Sequence, residues 1–272
     1  MSAPVLPEPS SLARVVVTLV GVVAVGSLVA GVTIVGPARL RGLFRTVPVH
    51  LREAAPYLAA LILVLAISSV ARDGLQSVSQ LYGLYLTGAI FAIEGEFVGW
   101  LQSYATEELT QLFSWVYVYG YAFLLVFPFI AYAALEESTQ LERLIVAYTI
   151  NYALGLLIYT LVFAHGPRNV MPDLVTSLLF TTTPEFQRLV SHVNVHSNVF
   201  PSLHTSLSVT VALLAYRTRE VYPAWAALAG VLAAGVVFST MYLGIHWAID
   251  VLGGIVLAFG SVRAACRYVD RD

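Results

Sequence analysis

The sequence predicts an all-α protein, a polytopic transmembrane helical bundle of about seven spans. Of its 272 residues, 58% are hydrophobic and only 11% are charged. A soluble globular domain carries about 25% charged residues, and a soluble core of this length cannot bury so large an apolar excess. Several apolar runs approach the roughly 20 residues that a helix needs to cross the hydrocarbon core. These observations exclude an ordinary soluble enzyme and a disordered chain.

Seven apolar runs are the predicted spans: residues 15–35, 56–70, 113–134, 144–163, 203–216, 224–242 and 247–265. The segment 82–100 is different because Glu94 and Glu96 interrupt its apolar run. Carboxylates are costly at mid-membrane, so we expect an interfacial helix that shows a polar edge there. The alternative is that these two carboxylates line an acceptor pocket. The aromatic side chains Trp115, Tyr117, Tyr119 and Tyr121 fit an interfacial belt.

The arginines predict the orientation of the bundle. With seven spans, ten of them fall on one side of the membrane: Arg39, Arg41, Arg45, Arg52, Arg143, Arg217, Arg219, Arg263, Arg267 and Arg271. The other side keeps Arg14, Arg72, Arg168 and Arg188. The positive-inside rule then places the N-terminus outside and the C-terminus in the cytoplasm. The N-terminus lacks the basic region of a cleaved signal peptide, so we expect the first span to be retained.

Composition also excludes several kinds of chemistry. All 14 cationic residues are arginines, so no lysine is present to form a Schiff base or to act as a nucleophile. No basic tail is available to bind nucleic acid. The single cysteine, Cys266, excludes a disulfide within the chain and a thiolate cluster. We expect the partners to be the lipid bilayer and a membrane lipid substrate, and we expect no cofactor.

Three polar sets are predicted to meet at the external membrane surface. Gly166-Pro167-Arg168 follows one span, His204 begins the next, and His246 and Asp250 follow one helical hairpin later. Each leg of that hairpin is about 25–30 Å long at 1.5 Å per residue, so both histidines return to the same face. His246 and Asp250 are four residues apart and therefore share a helical face.

This grouping suits phosphoryl transfer. His246, held by Asp250, is a competent nucleophile, and His204 can protonate the departing alkoxide. Arg168 can bind phosphoryl oxygens in bidentate fashion. Three hydroxyls could add hydrogen bonds to the phosphate, those of Ser202, Ser239 and Thr240. No acidic cluster resembles a Mg²⁺ site, so we predict no metal.

Other interpretations of the histidines remain open. His192 and His196 could bind a metal together with His204, although exposed loop histidines are the simpler interpretation. His165 could contact a lipid head group because it adjoins Arg168. The His246–Asp250 pair could also be a structural hydrogen bond that ties two spans together.

The order Pro201-Ser202-x-His204, then Ser239-x6-His246-x3-Asp250, resembles the type 2 phosphatidic acid phosphatase superfamily. The family pattern is K-x6-R-P, then P-S-G-H, then S-R-x5-H-x3-D. The resemblance implies that His246 forms a phosphohistidine, with Asp250 as its partner and His204 as the general acid. It divides the chain into N-terminal spans with an external interfacial segment, residues 1–109, and a catalytic core, residues 110–268.

The sequence departs from this pattern at three places, which affect the choice between functions. The lysine of the first element is missing, Pro167-Arg168 reverses the usual Arg-Pro order, and Thr240 replaces an arginine. A site with fewer cations is similar to the inositol phosphorylceramide synthase and sphingomyelin synthase branch. The order of the motifs favours a lipid phosphatase, and the missing cations make a phosphoalcohol head-group transferase the alternative. A lipid transporter or binding bundle without catalysis is the third hypothesis.

Overall fold

The computed structural model describes residues 9–182 and 198–271 and is built almost entirely from helices, which confirms the all-α class. The helices are α1 Pro9–Ala30, α2 Pro37–Glu53, α3 Ala55–Tyr82, α4 Thr87–Glu94, α5 Phe97–Gln102, α6 Glu107–Trp115, α7 Tyr121–Ala133, α8 Thr139–Leu161, α9 Pro167–Val170, α10 Leu178–Thr182, α11 Leu203–Arg217, α12 Pro223–Tyr242 and α13 Ala248–Val269. A π-helical segment, Gly31–Val35, follows α1, and a second one, Val116–Gly120, joins α6 to α7. Two short strands, β1 Leu84–Tyr85 and β2 Val162–Phe163, pair in parallel.

Five helical segments are long and apolar enough to cross a membrane: Ala13–Val35, Glu107–Ala133, Thr139–Leu161, Pro223–Tyr242 and Ala248–Val269. They correspond to five of the seven predicted spans. Among the described residues, a sixth span is possible only if α2 and residues Ala55–Ala71 of α3 cross together. The two helices are bent by 69° at the break between them. The remaining predicted span, α11, has 15 residues, about 22 Å of helix, which is shorter than the hydrocarbon core. The described residues therefore support five or six full spans.

Two connecting segments have more structure than a loop. The connection between the first two predicted spans, expected to be a loop, contains helix α2 (Pro37–Glu53), which begins with a proline at its first turn and packs Leu40 and Leu43 against the core. Its apolar side chains recur at helical spacing, and this spacing explains the difference. The segment 82–100, which Glu94 and Glu96 interrupt, contains α4, of eight residues, and most of α5, of six residues. Neither is long enough to cross the membrane.

Helix α11 lies at the centre of the bundle, against α7, α8, α12 and α13. Its small polar side chains let neighbouring backbones approach closely, as is common between membrane helices. Asn151 of α8 is fully buried and donates to Thr210 Oγ1 at 3.0 Å, and it accepts a hydrogen bond from Ser206 Oγ. These bonds satisfy polar groups inside the bundle and tie α8 to α11.

The two ends of the bundle differ in composition. At the upper end the starts of α11 and α13 lie together, since Ser202 N donates to Asp250 O at 3.0 Å. The C-terminal part of α8 lies there too, since a Cβ on Gly155 would meet the Leu203 side chain. At the lower end, Thr46 Oγ1 of α2 donates to Ala133 O at 2.9 Å. Arg143 of α8 pairs there with Asp270, just after α13. The arginines of α2 therefore lie at the end opposite to Asp250.

Candidate active site

A tight turn between α12 and α13 presents His246. Gly244 has φ 73°, and a Cβ there would lie 2.8 Å from Val175 Cγ1 and 2.9 Å from Thr176 O. Glycine alone combines this backbone conformation with so little space. The Thr240 carbonyl closes the turn by accepting the amides of Ile245 and His246, both at 3.0 Å. His246 is left 5% exposed, directly before the first turn of α13.

Asp250 lies beside His246, as the four-residue spacing predicts. Its Oδ2 accepts the Trp247 amide at 2.9 Å and lies 3.4 Å from His246 Nδ1. The Asp250 side chain is fully buried, and its Oδ1 has no hydrogen-bond partner among the described residues. Buried polar atoms usually have a hydrogen-bond partner, so the free acceptor capacity of this carboxylate beside an imidazole marks the pair as a candidate site.

His204 is brought to the same place by the start of α11. Ser202 is the N-cap of this helix, and its Oγ accepts the Thr205 amide at 3.3 Å. The Ser202 amide is bonded to the Asp250 carbonyl, so the first turns of α11 and α13 are fastened together. His204 and His246 lie close enough for a charge on one to act on the other. The structure therefore brings both predicted histidines and Asp250 together.

Two tyrosines pack against the His204 ring. Tyr117 stacks on it with centroids 4.6 Å apart, and Tyr121 lies against it at 4.5 Å. Tyr117 is only 2% exposed, so its assignment to an interfacial aromatic belt is wrong. Tyr117 belongs to the π-helical segment and Tyr121 is the first residue of α7, directly after it. Their contacts with His204 turn both rings into the bundle. π-Helical segments are frequent at functional sites.

Arg168 reaches the site from α9. Gly166, just before this helix, lies so close to the His246 turn that a Cβ would be 2.8 Å from Ile245 O. The Arg168 guanidinium lies over the Phe180 ring at 5.3 Å and interacts electrostatically with Tyr117. Burial lowers the pKa of Arg168 and Tyr117 acts in the opposite direction; an arginine stays protonated at neutral pH.

All three predicted hydroxyl donors already make a hydrogen bond within the protein: Ser239 and Thr240 donate, whereas Ser202 accepts. Ser239 Oγ donates to Gly235 O at 2.6 Å, and Thr240 Oγ1 donates to Val237 O at 2.7 Å. Ser202 Oγ caps α11 as described above. A hydroxyl has a single proton, so in this arrangement Ser239 and Thr240 shape the turn instead of pointing protons at a phosphate.

Glu94 has a place that the sequence did not indicate. Its Oε1 accepts the Ala248 amide at 2.8 Å and its Oε2 accepts the Ile249 amide at 3.1 Å, both in the first turn of α13. Burial raises the pKa of Glu94; the two amide hydrogen bonds lower it, and repulsion by Asp250 raises it further. Glu96, two residues later, is exposed. The only sequence feature that indicated a role for Glu94 was the position of its carboxylate within an apolar run.

Two further residues hold the turn: Gln102, which no sequence signal marks, and His165. Gln102 of α5 donates to Thr176 O at 3.0 Å and to Tyr242 O at 2.9 Å, and it accepts the Thr176 amide at 2.8 Å. His165 accepts the Trp247 indole N–H on its carbonyl at 2.8 Å. Its ring packs edge-on against Phe163 with centroids 4.8 Å apart, and a contact between this ring and a lipid head group stays a prediction.

The metal alternative named above depends on residues that the structure does not describe. Among residues 9–182 and 198–271, no group of three or more His, Cys, Asp or Glu side chains is arranged to hold a metal ion. The alternative ligands His192 and His196 lie outside the described residues, as does Arg188.

A family model described as the PAP2 superfamily matches residues 89–264, which is more than half of the chain. The same comparisons found no curated protein and no solved structure that matches this chain. The matched region runs from α4 into α13 and contains Glu94, Arg168, His204, His246 and Asp250. Members of this superfamily are usually phosphatases or phosphotransferases. With its apolar helices and the motifs around His204 and His246, the chain belongs to the PAP2 superfamily, that of the type 2 phosphatidic acid phosphatases.

Proposed function

We propose that this protein is an integral membrane lipid phosphatase that works through a phosphohistidine at His246. The observation that carries the proposal is the buried His246–Asp250 pair, with His204 fastened beside it through the Ser202–Asp250 backbone bond. Arg168, carried by the neighbouring α9, is the candidate phosphate clamp. The membership of the superfamily and the apolar helices support a lipid as the substrate.

In the first step His246 Nε2 attacks phosphorus while its Nδ1–H donates to Asp250. The bond between phosphorus and the lipid oxygen breaks, and His204 gives its proton to the departing alkoxide. An arriving phosphate is an anion and therefore favours the protonated form of His204. The products of this step are a lipid alcohol and phosphohistidine, with His204 neutral.

In the second step water attacks the same phosphorus atom and His204 takes the proton that water loses. The P–N bond breaks, inorganic phosphate leaves, and both histidines return to their starting states. Arg168 stabilises the charge that moves among the phosphoryl oxygens in both transition states. The net reaction is the hydrolysis of a lipid phosphate.

A head-group transferase is the second candidate. Thr240 stands where the related phosphatases carry an arginine, and its hydroxyl donates to Val237 O. The chain has no lysine, so the lysine of the family pattern is absent too. Fewer cations favour a phosphodiester with one negative charge over a phosphomonoester with about two. In such an enzyme an acceptor alcohol replaces water in the second step.

The test uses purified enzyme with phosphorus-labelled lipid. Release of labelled inorganic phosphate supports the phosphatase, and transfer of label to an acceptor alcohol supports the transferase. Acid-labile label on the wild-type protein, absent from His246→Ala, is expected for a phosphohistidine. Full turnover by His246→Ala would overturn the mechanism. Lipid binding or flux without bond cleavage would instead indicate a transporter.

We also propose that the site faces the exterior, because the arginines of α2 and Arg143 lie at the opposite end of the bundle. Asp173 is exposed near the site end. In a Cys266→Ser background, Asp173→Cys should react with an impermeant maleimide added to intact cells. Labelling only after permeabilisation would reverse the orientation.

A further inference from the structure

We infer that Glu94 is a positioning residue for the His246–Asp250 pair: it occupies the free amides at the start of α13 and so reserves Asp250 for His246. This inference rests on the proposed function. Glu94 is carried by α4, a short helix outside the predicted spans, and is 154 positions from its first partner, Ala248.

The first turn of a helix has amide groups without intrahelical partners. In α13 these donors are shared between two carboxylates. Asp250 Oδ2 accepts the Trp247 amide at 2.9 Å, whereas Glu94 accepts the next two amides, those of Ala248 and Ile249, at 2.8 and 3.1 Å. Each carboxylate is favoured by the positive end of the helix dipole.

The two carboxylates therefore compete for one helix end. Asp250 belongs to that first turn, and its Oδ1 is buried without a hydrogen-bond partner among the described residues. If the amides of Ala248 and Ile249 were free, they would draw the Asp250 carboxylate toward them. The Asp250–His246 contact, already long at 3.4 Å, would then be lost. Glu94 prevents this by filling those donors.

The same arrangement keeps the helix end from binding a phosphate on its own amides, as helix N-termini often do. The substrate phosphate is therefore left to Arg168 and the histidines. Glu94 also links α4 to the turn that presents His246, together with the edge contact between the Phe91 and Trp247 rings at 6.3 Å.

The charge of Glu94 supplies a readout that a purely structural contact would not change. Burial raises the pKa of Glu94, and the charged group that acts on it among the described residues is Asp250, which repels it. Glu96, in the turn after α4, is exposed. As the pH falls through this raised pKa, Glu94 is protonated, its hold on the two amides weakens, and turnover falls.

The experiment compares Glu94→Gln with Glu96→Gln, a matched change two residues away at an exposed position. We expect Glu94→Gln to lower kcat by about 10–100-fold, the size usual for groups that orient a catalytic side chain. KM should change by less than about threefold because Glu94 does not touch substrate. In the wild type, the fall in rate at acid pH that comes from protonation of Glu94 should be present, and in Glu94→Gln it should be absent. Glu96→Gln should have the wild-type kcat and the wild-type pH–rate profile.

A wild-type kcat and an unchanged pH profile in Glu94→Gln would overturn the inference. If Glu94→Gln does not accumulate in membranes, Glu94→Asp, which keeps the charge on a shorter side chain, is measured instead. It should retain the acid limb with a reduced kcat, and a wild-type kcat would again overturn the inference. His246→Ala separates the two proposals: if it is inactive and Glu94→Gln is normal, only the positioning role fails.

Discussion

Gly254 of α13 sets the distance between the two helices that carry the site. A Cβ at this position would lie 2.4 Å from the Ser202 carbonyl oxygen and 3.0 Å from Thr205 Cβ. Ordinary contact begins at 3.4 Å, so Gly254→Ala must move the start of α11 by about 1 Å, the difference between 2.4 and 3.4 Å. The obstacle is backbone, which cannot rotate away as a side chain does.

Two effects should follow from that displacement. Overpacking at such a contact costs about 1–3 kcal/mol of stability. Because Ser202 caps the helix of His204, the shift also moves His204 relative to His246, and a misplacement of about 1 Å costs on the order of a hundredfold in rate. We therefore expect a lower unfolding temperature and a kcat reduced by about two orders of magnitude.

Gly260 on the same helix is the matched control, because no atom lies within 4 Å of a Cβ built there. Gly260→Ala should keep the wild-type kcat and be neutral or slightly stabilising, since alanine favours helix over glycine by about 1 kcal/mol. Turnover and thermal unfolding in detergent are measured for both variants. If Gly254→Ala matches Gly260→Ala in both measurements, the close approach of α11 and α13 does not control the site.

Three further changes test the surroundings of the histidines. Asp250→Asn should lower kcat by about 10²–10⁴-fold, because His246 loses the partner that fixes its tautomer; a loss below tenfold in steady-state turnover would refute this. Tyr117→Leu removes a stacked ring worth about 0.5–1.5 kcal/mol; it should lower kcat and change KM by a smaller factor. An equal effect of Tyr119→Leu on kcat would show that the contact with His204 does not influence turnover. Gln102→Leu removes three hydrogen bonds and should destabilise the protein by about 1–3 kcal/mol, seen as a lower unfolding temperature; an unchanged transition would contradict the role of Gln102 as a clamp.

Several features could be predicted because they depend on local periodicity. Apolar runs of about 20 residues predict membrane helices without knowledge of their neighbours, and five of the seven predicted spans are helices of that kind. The proximity of His246 and Asp250 follows from the 3.6-residue turn. The return of His204 to the same end follows from helix length alone. The division of the chain at residue 109 stays a prediction.

Other features could not be predicted because they depend on partners far apart in the chain. The pattern around Tyr117 and Tyr121 is equally compatible with an aromatic belt, and only the packing of separate helices brings both rings to His204. The acidic side chain of Glu94 argued against a span but did not indicate α13 as its partner. The hydroxyls of Ser239 and Thr240 were expected to face phosphate, but each donates to its own helix.

The amino-acid sequence by itself determined the membrane class, the positions of most helices and the identity of the histidines and carboxylate that meet. Composition and helical periodicity carry this information within a single helix or hairpin. Only the tertiary structure decided how the site is held: Glu94 on the first turn of α13, Gln102 on the turn before His246, and tyrosines against His204. These contacts depend on how separate helices pack, and neither hydropathy nor spacing along one helix specifies that packing.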